Sequence, residues 1–139
     1  MLRNSLSSII KQASLIESEK DRIAFLQKND SGPLRFLLRV ALSPNIKWLL
    51  PPEFVPNYKP NKVYPDLQGM LYSRTRLLYM FLDGSGNHIH PAKREKLFVE
   101  LLEILLPEDA QLLLDIKDKK LPKTINKKLY NKTFTNDKI

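Results

Sequence analysis

The chain has 139 residues, no cysteine, and 23 lysines and arginines against 15 acids, a net charge of +8. That length fits one domain able to bury a core without staples, and the missing cysteine excludes disulfides and thiolate metal sites. The positive surplus favours polyanionic or acidic partners, although a basic source proteome would give the same balance.

Met1-Leu2-Arg3-Asn4-Ser5 leads into no long apolar stretch, and the most apolar run, Leu101 to Leu106, is far short of a membrane span. A soluble protein of a reducing cytoplasm, without a membrane partner, is therefore expected. Leu6, Ile9, Ile10, Ala13 and Ile16 recur at helical spacing and predict a first helix. Ser18 with Asp21 three residues on reads as a capping box. It opens a second helix with Ile23, Phe25, Leu26 and Ala24 as its apolar stripe. Ser31 and Pro33 restart the chain into a third helix. Leu34, Leu37, Leu38, Ala41 and Leu42 turn inward there, and Arg35 and Arg39 outward.

Residues 51–66 form a strap with prolines at 51, 52, 56, 60 and 65, which exclude a regular helix. A fourth helix is expected over 67–82, then a flexible turn at Asp83–Asn87. A fifth, from Pro91 to Leu106, buries Leu97, Val99, Leu101, Leu102, Ile104 and Leu105. Pro107-Glu108-Asp109 marks the start of a sixth. A short last helix spans about 123–132. The sum is an all-α fold, an irregular bundle of six or seven helices with one long proline-rich loop, in a single domain over 1–139.

Catalytic signals are lacking. His88 and His90 supply two ligands where structural zinc wants four, and they serve equally as solvated or capping residues. Asp83-Gly84-Ser85-Gly86 lacks the Lys-Ser/Thr of a nucleotide loop. A non-enzyme without cofactor is expected.

The lysines cluster in the basic C-terminal segment, 117–139. Between 117 and 132 there are seven (Lys117, Lys119, Lys120, Lys123, Lys127, Lys128, Lys132) and one acid, Asp118. Leu121, Ile125, Leu129 and Tyr130 are interleaved, so one side can pack while ammonium groups face outward. Lysine suits phosphate contact without sequence preference; a solvated lysine-rich tail accounts for the same composition. On the binding reading, Lys117, Lys119, Lys120, Lys123, Lys127 and Lys128 meet phosphates, while Thr124 and Asn126 add hydrogen bonds to the strand. Thr124 is placed to cap the last helix. Arg74, Arg76 and Arg94, with Lys93 and Lys96, flank the Asp83–Asn87 turn and extend the surface.

The segment from Leu112 to Lys127, LLLDIKDKKLPKTINK, resembles the end of the N-terminal DNA-binding domain of ATP-dependent DNA ligases, and Lys20 to Leu50 is similar to the helix pair that opens it. Nearly the whole chain also resembles a family of small uncharacterised proteins encoded by tailed phages. That likeness rests on Lys20–Asn29, Trp48-Leu49-Leu50-Pro51, Gln68-Gly69-Met70-Leu71-Tyr72 and Lys93-Arg94-Glu95. The resemblance implies duplex DNA as partner, in the cytoplasm of a bacterial host cell. Two departures limit it. Lys119-Lys120-Leu121-Pro122 stands where ligases carry a glycine turn, and Phe81 occupies the lysine position of the nucleotidyl-transfer motif before Asp83-Gly84. Ligation by this chain alone is thereby excluded. An adaptor for phage or host proteins, using Phe54 and Tyr58 of the strap, and a virion component are the alternative readings.

Overall fold

A computed structural model describes residues 4–60 and 70–139. The helices are α1 (Leu6–Leu15), α2 (Glu19–Lys28), α3 (Gly32–Leu42), α4 (Met70–Arg74), α5 (Pro91–Ile104), α6 (Pro107–Lys117) and α7 (Lys127–Thr133), with a 3₁₀ helix at Thr75–Phe81 between α4 and α5. Among the described residues there is no strand. Backbone bonds from Leu49 N–H to Phe81 O and from Asp83 N–H to Lys47 O make a single antiparallel bridge at Trp48 and Leu82. The fold is all-α, as expected. No described helix is long and apolar enough to cross a membrane.

The early helices begin where short side-chain oxygens can take orphan amides. Ser5 accepts from Ser8 N–H, Ser18 from Asp21 N–H and Ser31 from Leu34 N–H. From α1 the residues Leu6, Ile9, Ile10 and Ala13 are buried, and from α3 Leu34, Leu37, Leu38, Val40 and Ala41. They join Leu71, Leu78, Phe81, Phe98, Leu102, Leu113 and Ile116 in one core cluster. Phe81 and Phe98 meet edge to face at 5.2 Å, a preferred aromatic geometry.

Four expectations are corrected here. In α2 the buried positions are Arg22 and Leu26, while Ala24 is exposed and Ile23 and Phe25 are half-buried. Arg22 turns inward because its guanidinium satisfies the terminal carbonyls of α1, Ala13 O at 3.0 Å and Ile16 O. The fourth helix splits into α4 and the 3₁₀ helix, with 67–69 outside the described residues. In α5 the inward stripe is Arg94, Phe98, Leu101 and Leu102. Ile104 lies off that stripe and is 38 % exposed. The strap is described from Pro51 to Pro60; its Phe54 and Tyr58 pack half-buried on the core and so are not the exposed aromatics of the adaptor reading.

Asp109 links α1 to α6. It sits in the first turn of α6 with 0 % exposure, and its Oδ1 accepts Ser7 N–H at 3.1 Å, so it caps α1 from another helix. Its Oδ2 is buried without a partner among the described residues. Burial pushes its carboxyl above the usual carboxylate range, against the lowering effect of the Ser7 hydrogen bonds. A folded-state value above the unfolded one gives stability that is present in acid and lost as pH rises through the raised value. Asp109→Asn keeps an oxygen for Ser7 and removes the buried charge, so it is expected to match or exceed the parent in thermal melting at neutral pH. That gap narrows as pH falls toward the ordinary aspartate value. Asp109→Ala, which leaves the amide unsatisfied, loses about 1–3 kcal/mol.

Candidate nucleic-acid interface

The basic segment begins at the end of α6. Lys119 N–H donates to Ile116 O at 3.3 Å and Lys120 N–H to Asp115 O at 2.7 Å, the bond pair of a Schellman stop. The left-handed residue that this stop requires is Lys119, at φ 58°. Glycine ordinarily takes that position, since an L side chain there costs roughly 1–2 kcal/mol. Lys119→Gly is therefore expected to raise stability by about 1 kcal/mol, read as a higher urea midpoint. If binding uses Lys119, the same variant flattens the salt dependence of DNA affinity by about one log–log unit.

Beyond the stop, Ile125 and Leu129 are buried and Leu121 packs against the core. These three residues, four apart, pin the ribbon and turn Lys119, Lys120, Lys123, Lys127 and Lys128 to solvent. Ile125 N–H closes a turn onto Pro122 O at 2.9 Å. The last helix starts at Lys127, later than expected, because Asn126 caps it in place of Thr124: its Oδ1 accepts Leu129 N–H at 2.9 Å. Asn126 Nδ2 donates to Lys123 O at 2.9 Å, and Thr124 Oγ1 donates to Ser14 O at 3.2 Å. Both expected strand donors are thus engaged by the fold itself. Against α2, Lys132 pairs with Glu19 at 2.7 Å and Gln27 Nε2 donates to Thr133 O at 3.1 Å.

Two expected contacts are removed from the surface. Lys117 is 3 % exposed, and its Nζ donates to Pro51 O at 3.3 Å, Phe54 O at 3.2 Å and Asp118 Oδ1 at 2.5 Å. It fastens the strap, because a buried ammonium has to meet acceptors that replace its water. Arg94 is 7 % exposed and donates to Gly86 O at 3.1 Å and Ile89 O at 2.7 Å, which holds the turn before α5. Arg76 is exposed and Arg74 half-buried. Their segments pack on α3 and α5, whereas α7 packs on α2, so the arginines and the C-terminal lysines have different supports. His90 caps α5, its Nδ1 accepting Ala92 N–H at 3.1 Å.

The C-terminal tail adds a cation that residue spacing did not mark. Ile139 N–H donates to Asn131 Oδ1 at 2.8 Å, and Asn131 Nδ2 returns a bond to Ile139 O at 3.1 Å. Asp137 accepts from Tyr130 Oη at 2.9 Å and pairs with Arg39. The Tyr130 hydrogen bond, supported by Arg39, holds the Asp137 carboxyl below the usual range, and burial pushes the Tyr130 phenol up to about 12. The clasp brings Lys138 beside Lys127, Lys128 and Lys132 around a shallow depression of about 620 Å³. Among the described residues no cluster of three or more histidines and acids is placed to hold a metal.

Fold and surface together define an all-helical protein whose lysines are concentrated on a C-terminal ribbon. It belongs to a family of unknown function, DUF6433, in a match spanning residues 9–123. No curated protein and no solved structure is similar enough to the chain to count as a match.

Proposed function

We propose that this protein is a non-catalytic binder of double-stranded DNA that reads phosphates and not sequence. One observation carries the reading. Lys119, Lys120, Lys123, Lys127 and Lys128 all reach solvent from a ribbon fixed by three core residues, with Lys132 and Lys138 beside them. A fixed row of ammonium groups neutralises a phosphate backbone without paying to order a loose tail. The likeness to ligase DNA-binding domains and to tailed-phage proteins supports the same partner, and with it a phage origin and a bacterial cytoplasm as the place of action.

The test is fluorescence anisotropy on two labelled duplexes of unrelated mixed sequence at about 50 mM salt. Dissociation constants near or below about 1 μM, similar for the two, are expected; phosphate-driven binding is strong and indifferent to sequence at low salt. Absence of binding to either duplex contradicts the reading.

A further inference from the structure

An open pocket of about 390 Å³ lies between α3, the 3₁₀ helix and the turn that follows it. That volume is within the roughly 300–1,000 Å³ of small-molecule sites. Its apolar lining includes Phe36 and Tyr79, whose rings meet at 5.0 Å and 48°, and its polar lining includes Arg39, Asn45, Asp83 and Ser85. Tyr79 is 51 % exposed, so one part of its ring is open to solvent. The wall is firmly built. Ser85 Oγ donates to Tyr79 O at 2.6 Å, and the turn lies so close to the 3₁₀ helix that a Cβ on Gly86 would fall 2.1 Å from Met80 O.

The charges in this pocket do not favour an anion. Arg39 is already paired with Asp137, and Asp83 contributes a carboxylate to the rim. A flat, neutral, polar-edged ring fits better: it can stack on the tyrosine, and its edge can meet the Asn45 amide and the Arg39 guanidinium. One contact links the pocket to the lysine surface. Asp137, which Arg39 grips, immediately precedes Lys138 on the wall of the basic depression.

We infer that this pocket takes an unpaired nucleobase of single-stranded DNA whose phosphates run over Lys138 and its neighbouring lysines. The inference rests on the DNA-binding reading above and adds to it a preference for a strand end, gap or open region over continuous duplex. Stacking of a base on an exposed aromatic ring is strong and tolerant of base identity, in keeping with a surface that does not read sequence.

The test compares two labelled oligomers of about 12 nucleotides, within the usual site sizes. One is thymidine and the other is abasic with the same number of phosphates, each titrated with the full chain at about 50 mM salt. The thymidine oligomer is expected to bind tighter by roughly 5- to 150-fold, the range for one stacked base. Tyr79→Ala should abolish that difference and leave abasic binding unchanged, while Tyr79→Phe should keep it. Equal affinity for the two oligomers, or a difference that survives Tyr79→Ala, overturns the base site and leaves the lysine reading standing. Failure of the wild-type chain to bind either oligomer while it still binds duplex overturns the single-strand inference alone; failure on the oligomers and on duplex overturns both.

Discussion

Lys117→Met is expected to destabilise the protein by about 3 kcal/mol, near the low end for removing one member of a buried ion pair. For a chain of this size that is a fall in Tm of roughly 10 °C. Methionine replaces most of the lysine's bulk, so the loss comes from polarity and not from a cavity. Asp118 keeps a carboxylate whose nearest cation is gone, Phe54 O loses the Lys117 donor, and Pro51 O is left with the Phe54 N–H alone. Because the side chain of Lys117 is fully buried, the substitution should leave the salt dependence of DNA binding unaltered. A variant with an unchanged Tm and a slope reduced by about one unit would show Lys117 to be a surface contact after all.

The second large effect runs the opposite way. Replacing Lys120, Lys123, Lys127 and Lys128 with glutamine should flatten the log–log salt dependence of duplex affinity by about 3–4 units, at roughly 0.9 per phosphate contact. Stability should stay within roughly 1 kcal/mol of the parent, as for other exposed substitutions. All four residues are exposed, and no ion pair of theirs is found among the described residues. Lys127 and Lys128 also occupy the first turn of α7, where the helix dipole disfavours cations. Their removal therefore costs the fold little beyond the weak attraction of Lys128 for Glu19. An unaltered slope in this variant would sink the site assignment even if the wild type binds DNA. Together the two variants separate a lysine that holds the protein together from lysines that hold a partner.

That distinction was invisible to residue spacing. A run of seven lysines reads as a uniform face, yet Lys117 ends the buried side of α6 and meets carbonyls more than sixty residues earlier in the chain. Arg94 differs: its acceptors, Gly86 O and Ile89 O, lie in the adjoining turn, and residue spacing does not tell which way a turn's carbonyls face. The parts legible beforehand were those with local causes. Ser18 and Ser31 cap helices because their oxygens reach amides three residues on, and the inward faces of α1 and α3 follow from 3.6-residue periodicity. Leu121, Ile125 and Leu129 are four apart, which made the ribbon's packed side readable along with its outward lysines. The Phe36–Tyr79 pocket and the Asp137 clasp each join segments distant in sequence, and no local pattern announces them.

The central claim is that the C-terminal ribbon binds DNA through its phosphates, and its most direct test is the duplex affinity of the wild-type chain across about 50 to 200 mM salt. Five exposed ribbon lysines predict a straight log–log line with a slope of about −4 to −5. A flat line, or no binding at the lowest salt, would contradict the account.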